Sequence, residues 1–214
     1  MHIKTSNQES FTLGVGDYTC NLGLHVAGLY ETEQERDEII MGFLSQGYKE
    51  GDLQLYCPAE RTTEDFHEKM HHECPQCNTY DENYFQINSA KELYYPEGIF
   101  SPKQMDIGLN DFYQKSQKNG KRIIRATAEM VWALDAIPGS ELLMVYESRL
   151  NYFIAGKPWI SVCLYNVNKF SGATIMNVLR THPFTINGGI LTENPYFVDP
   201  DIWLKENYPA YLNI

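Results

Sequence analysis

The chain has 214 residues, 43% hydrophobic and 13% aromatic, with a formal net charge of −11 and a pI of about 4.9. That length fits one α/β domain or at most two small ones, and the apolar content can bury a core, which excludes a disordered chain. The acidic balance excludes a nucleic-acid backbone as a direct partner, because phosphate neutralisation needs clustered Lys and Arg, and the one basic run, Lys115 to Arg125, reads as a solvated helix end.

The N-terminal stretch MHIKTSNQESFTLGVGDY lacks a charged start followed by an apolar core, so no signal peptide is expected. No apolar run approaches the roughly 18 residues that a membrane span needs. LGLHVAGLY (Leu22 to Tyr30) reads as a buried strand. The next segment, Glu31 to Gly51, reads as an amphipathic helix with acidic first turns, Ile39, Ile40, Phe43 and Leu44 on one face, and Gly47 marking its end. DLQLYCP (Asp52 to Pro58) is a second strand stopped by Pro58, and a polar helix follows, capped by Thr62 or Thr63. A Cys/His-rich insertion at about residues 67–80 precedes a third strand, NYFQINSA.

Ser101 to Gly120 is a helix with Ser101 as N-cap, Pro102 at its first position and Gly120 as its stop. Lys121 to Glu129 is a strand, Gly139 to Gly156 a helix, and Pro158 to Val167 a central strand. A helix from Ser171 breaks at Pro183, and Phe184 to Val198 reads as a terminal hairpin turning at Asn187-Gly188-Gly189. Strands alternating with helices imply a three-layer α/β fold: a mostly parallel sheet with helices on both faces. Five cysteines, an odd number, leave at least one unpaired, and Cys163 inside WISVCLYNV reads as a buried reduced thiol. The expected compartment is a reducing cytoplasm.

The first strand-to-helix junction is where nucleotide-binding α/β domains place a phosphate loop. Here it is HVAGLYETEQERDE, with one glycine, no Lys, and Glu31, Glu33 and Glu35 where an anion would sit. No bound nucleotide is expected, and the Walker A loop is absent.

The ordered blocks GLHVAGLYETEQE, FLSQGYKEGDLQLYC, RATAEMVWAL, LLMVYESRLNYF, WISVCLYNVNKFSGATIMNVLRTHP and NPYF resemble the MEDS domain, the methanogen/methylotroph sensory domain. The resemblance runs from about Gly23 to about Phe197 and implies a RecA-like fold, related to the circadian-clock ATPases but degenerate in its phosphate loop. It also implies a non-catalytic sensor of small hydrocarbon or one-carbon derivatives, such as methylated or halogenated compounds, acting in signalling or transcription. Family members are often fused to kinase or DNA-binding regions. These 214 residues leave no room for either, so the expected output runs through a signalling partner protein or a homodimer.

The candidate ligand residues are His25, Arg125, Glu129, Trp132, Glu147, Tyr165 and His182. His25 lies in the first strand, near the carboxyl ends where α/β sheets bind ligands; its plain alternative is a hydrogen-bonded core histidine. Arg125, Glu129 and Trp132 offer an ion pair and an aromatic wall, or else a structural salt bridge beside a core tryptophan. Glu147 and Asn151 sit one helical turn apart. Tyr165 and Asn166 end the strongest strand, where a nucleotide hydrolase would hold a metal-binding acid, and His182 ends a helix.

HEKMHHECPQC (His67 to Cys77) carries the strongest local motif. Cys74 and Cys77, with two of His67, His71 and His72, have the spacing of a closed zinc site. A redox pair and a solvated cluster remain the alternatives. Function therefore reads first as a cytoplasmic sensory domain that binds a small molecule and neither nucleic acid nor membrane. Behind it stand a metal-dependent thiol sensor using Cys74 and Cys77, and a metalloenzyme of one-carbon metabolism.

Overall fold

The computed structural model describes residues 10–78, 84–118, 120 and 122–212. The signal-peptide reading at residues 1–9, the tail of the insertion at 79 and 80, and the expected strand start at Lys121 lie outside the described residues.

Seven strands form the main sheet. In spatial order they are β5 (Phe85–Ile87), β4 (Leu53–Cys57), β6 (Ile124–Glu129), β7 (Trp159–Asn166), β3 (Leu24–Tyr30), β8 (Phe184–Asn187) and β9 (Ile190–Glu193). All neighbours run parallel except β8 and β9, which form the expected hairpin with Gly188 and Gly189 at positive φ in the turn. The central strand β7 is buried along its whole length, as a parallel strand covered on both faces must be.

Alternation divides that sheet between two cores. Leu24, Val26, Ile160, Val162 and Leu164 face one way, against α1 (Glu33–Glu50) and α2 (Thr63–Glu73). Ala27, Cys163 and Tyr165 face the other, into a core shared with α3 (Ala90–Tyr94), α4 (Pro102–Ser116), α5 (Leu143–Ile154), α6 (Gly172–Thr181) and α7 (Pro200–Asn207). Helix starts follow their caps. Thr32 and Thr62 each close a capping box, with Glu35 and Asp65 respectively, while Ser101 and Ser171 accept from Gln104 and Thr174.

The expected end of α1 at Gly47 is corrected. The helix continues to Glu50 and stops at Gly51, which takes the left-handed conformation at φ 73°. Gly47 is small for another reason: a Cβ there would lie 2.6 Å from Arg125 Cδ, so the arginine stem passes directly over it. The helix α3, with Ser89 as its N-cap, carried no expectation, and neither did two further features. One is α7, capped by Asp199. The other is a separate antiparallel hairpin, β1 (Ser10–Gly14) and β2 (Gly16–Asn21), laid across α1.

The hairpin crosses α1 at a pair of glycines. An alanine methyl at Gly42 would lie 2.4 Å from the Gly14 carbonyl oxygen. Gly42→Ala should therefore destabilise the fold by about 1–3 kcal/mol through overpacking, although the same change in an open helix gains stability. Gly108 in α4 has nothing within 4 Å of its Cβ position, so Gly108→Ala should stabilise by about 0.5–1 kcal/mol. Urea midpoints of the two variants, at unchanged slope, should move in opposite directions.

Candidate functional site

Four of the candidate ligand residues converge. The parallel register pairs His25 with Ser161 and Ala27 with Cys163, so His25, Cys163 and Tyr165 project from one face of β3 and β7. Helix α5 lies over that face and lowers Glu147 and Asn151 onto it, one turn apart. His182, the C-cap of α6, comes in from the side, its Nδ1 2.8 Å from the Val178 carbonyl. Glu147 Oε2 then lies 3.1 Å from His25 Nε2, 3.4 Å from His182 Nε2 and 3.5 Å from Cys163 Sγ. Tyr165 donates to Glu147 Oε1 at 2.5 Å. His25, Glu147 and His182 have no solvent exposure.

This environment fixes the charge states. Burial, reinforced by neighbouring His182, pushes His25 down to about 4, so it is neutral at pH 7. Burial alone would raise the Glu147 carboxyl, but His182 and His25 outweigh it and hold it well below the usual carboxylate range. Burial, then the Glu147 charge, raises the Cys163 thiol. Cys163 is the member that sequence reading passed over as a plain core thiol. The signal was the alternation of Ser161, Cys163 and Tyr165 against Ile160, Val162 and Leu164.

The other three ligand candidates sit elsewhere, which corrects the single pocket expected of them. Arg125 is wholly buried against the opposite core, donating to Asp52 at 2.6 Å, Glu50 at 2.8 Å and the carbonyls of Leu13 and Thr12. It joins the hairpin to the sheet. Trp132 stacks on Tyr94 at 4.6 Å with Phe100 at 5.0 Å, as a core tryptophan. Glu129 accepts from Tyr56 and from the backbone N–H groups of Ala59 and Glu60, beside Arg36 and Arg61. That network continues through Glu60 to Tyr30, Arg36 and Lys169 and through Asp37 to Arg61 and Lys69. It fills the carboxyl ends of β3, β4 and β6. At the start of α1, the Glu35 carboxylate takes the N–H groups of Glu31 and Thr32.

The expected zinc set is not assembled. Cys74 and Cys77 are buried and joined to each other in a disulfide, while His67, His71 and His72 stand exposed on α2. Helical spacing put the histidines near one another in sequence, but the cysteines turn into the core beside Phe66 and Met70.

A small cavity of about 40 Å³ adjoins the buried cluster, with Cys163 in the wall of both. Its lining is mostly apolar and includes Leu55, Tyr94, Leu109, Ala128 and Tyr146. One polar atom on the cavity's face of the sheet, Trp159 Nε1, is buried with no hydrogen-bond partner.

The profile of the MEthanogen/methylotroph, DcmR Sensory domain (MEDS) matches residues 24–183. The chain belongs to the MEDS family. The matched stretch contains His25, Glu147, Cys163 and His182. Among curated proteins, this MEDS chain is 25% identical over 162 residues to the transcriptional repressor DcmR of Methylorubrum extorquens, covering 75% of this chain. It spans only 58% of that repressor's length. Among solved structures it resembles a KaiC-like protein of Pyrococcus horikoshii OT3 (TM-score 0.57, 13% identity, 84% of this chain and 80% of that one). It also resembles the flagellar accessory protein FlaH of Methanocaldococcus jannaschii (TM-score 0.55, 13% identity, 87% and 84%). The MEDS chain thus has a RecA-like fold. Among the described residues no helix is long and apolar enough to cross a membrane.

The Glu60 network gives a signed pH dependence. Burial alone would raise Glu60, but hydrogen bonds from Lys169, Tyr30 and Arg36 bring it below its ordinary 4.5. A depressed carboxylate contributes stability that is complete above the unfolded value and lost as pH falls through the folded one. Glu60→Gln should therefore lower the melting temperature at pH 7, and the gap from wild type should close as pH drops below about 4.5. Paired melting curves between neutral and acid pH check this.

Proposed function

We propose that this MEDS domain is a non-catalytic sensor that takes a one-carbon derivative into the cavity behind Cys163 and so regulates a partner. The observation that carries this reading is the match between the cavity and such a ligand. By the space one water needs, 40 Å³ admits a molecule of about three heavy atoms. The apolar wall suits a methyl group or a halogen, and Trp159 Nε1 offers a polar grip. The phosphate-site position, closed by the Glu60 and Glu129 ion pairs and the self-capped start of α1, favours a ligand other than a nucleotide. The likeness to a transcriptional repressor supports a regulatory output, delivered through a signalling protein or a second copy of the chain.

Titration calorimetry with methanol and dichloromethane tests the reading. Saturable binding of at least one is expected. Trp159→Phe, which removes the ring N–H, should weaken methanol about tenfold, the value of one hydrogen bond, and affect dichloromethane less. Absence of saturable binding by both, and by methylamine, would sink the proposal.

A second reading, thiol sensing by Cys74 and Cys77, is favoured by the disulfide that joins them. It requires reduction to alter the partner contact. A Cys74→Ser/Cys77→Ser chain that regulates like wild type in both oxidising and reducing buffer would remove it.

A further inference from the structure

The polar cluster under α5 has a hydrogen-bond ledger that does not close. Both N–H groups of the Asn151 amide are committed to backbone carbonyls of Glu147, Ser148 and Thr181, which turns its Oδ1 toward His25 Nδ1 at 3.2 Å. His25 Nδ1 must therefore carry the proton, and His25 Nε2 presents a lone pair. His182 Nδ1 faces the Val178 carbonyl, an acceptor, so it too carries its ring proton. In its neutral form, the one that ligates a metal, His182 presents a second lone pair at Nε2, an atom with no hydrogen-bond partner although the residue is wholly buried. Both nitrogens point at a third acceptor, Glu147 Oε2, whose carboxylate already receives the Tyr165 hydroxyl on its other oxygen. With both rings neutral, one thiol proton, on Cys163, is all that the cluster holds against three converging lone pairs. Unsatisfied acceptors facing each other in a dry core are costly, and a cation between them removes the conflict.

We propose that His25 Nε2, Glu147 Oε2, Cys163 Sγ and His182 Nε2 form a four-coordinate site for a divalent transition metal of the zinc type. The size fits. Ligand bonds of about 2.0–2.3 Å to a tetrahedral ion put the donor atoms roughly 3.3–3.8 Å apart. The separations here are 3.1 Å for His25 to Glu147, 3.4 Å for His182 to Glu147, 3.5 Å for Cys163 to Glu147 and 3.6 Å for Cys163 to His25. All four donor atoms lie within 4.8 Å of one another, and among the described residues no other group of three or more His, Cys, Asp or Glu does so.

The chemistry fits as well. Two imidazoles and a thiolate are borderline and soft donors, and with one hard carboxylate oxygen the set suits zinc over magnesium or calcium. Binding breaks the Cys163 S–H bond, forms the metal–sulfur bond and sends one proton to solvent. The dication then meets one thiolate, one carboxylate and two neutral rings, so the buried site carries no net charge. The outer contacts are those that orient metal ligands: Asn151 on His25, the Val178 carbonyl on His182, and Tyr165 on the carboxylate. The four donors come from β3, α5, β7 and the end of α6, so the ion would tie the sheet to its helical layer at one point. This site stands apart from the Cys74–Cys77 segment and does not require the one-carbon reading, although Cys163 borders both cavity and cluster.

The test is titration of the full chain with Co²⁺ and Zn²⁺ under reducing conditions, added both to the folded protein and during refolding. One Co²⁺ per chain is expected, with the visible bands of a tetrahedral ion and a near-ultraviolet thiolate charge-transfer band, all displaced by one equivalent of Zn²⁺. Cys163→Ser should abolish the charge-transfer band, His182→Gln should weaken Co²⁺ at least tenfold, and Cys74→Ser/Cys77→Ser should change neither. Failure of wild type to take up either ion overturns the site, whatever the variants do. So does a charge-transfer band that survives Cys163→Ser and disappears in Cys74→Ser/Cys77→Ser. Calorimetry with methanol and dichloromethane on the same wild-type samples separates the two proposals. One-carbon binding by a chain that takes up no metal overturns the metal site alone, and metal uptake without one-carbon binding supports it while overturning the sensor reading.

Discussion

A carboxylate with no access to water, Glu147, sets the terms for the half of the molecule beneath α5. A buried charge is tolerated only where partners surround it. Two histidines, a tyrosine and a cysteine surround this one, arriving from β3, β7 and the end of α6, and of these the tyrosine and the cysteine donate to it. The parallel register of β3 and β7 is what makes this possible, because it aligns the outward faces of His25, Cys163 and Tyr165 under one helical turn. Shifting either strand by one residue would send these side chains into the opposite, apolar core. The alternation of the two central strands and the composition of α5 therefore specify each other.

The same RecA-like frame carries a second dense polar region, at the carboxyl ends of β3, β4 and β6. There the charges are numerous and mutually paired: Arg36, Arg61 and Lys169 against Asp37, Glu60 and Glu129. The two regions differ in kind. The ion-pair network brings cations and anions of its own and is locally closed. The Glu147 cluster is rich in acceptors and poor in protons. That difference, more than burial or sequence spacing, separates a structural polar network from one built toward a bound species.

Much of the fold was legible because its signals are local. Ser101-Pro102 and Ser171 announce helix starts whatever surrounds them, and Asn187-Gly188-Gly189 announces a tight turn. Where tertiary contact decides, local signals mislead. Gly47 looked like a helix stop, yet it is small because Arg125 lies across it. Arg125 and Glu129 project from the same face of β6, but they sit at opposite ends of the strand and take different partners. The Cys/His segment drew attention by its density, while its cysteines turn inward and its histidines outward. Cys163 gave the reverse lesson. Apolar neighbours in sequence made it look inert, and only the pairing of β7 with β3 brings it against His25.

Arg125 binds the chain across distance in a way that reaches beyond its ion pairs. Its guanidinium hydrogen-bonds the carbonyls of Thr12 and Leu13 on the hairpin and, at the same time, Asp52 and Glu50 beside the start of β4. Lifting the hairpin off α1 would take two carbonyl acceptors from the buried guanidinium, leaving it Asp52 and Glu50, and would open the Gly14–Gly42 seam. Both losses follow from the same movement, so the docking of the hairpin and the seat of Arg125 depend on each other. Tension applied through residues ahead of the hairpin would be felt as strain on β6, in the middle of the sheet.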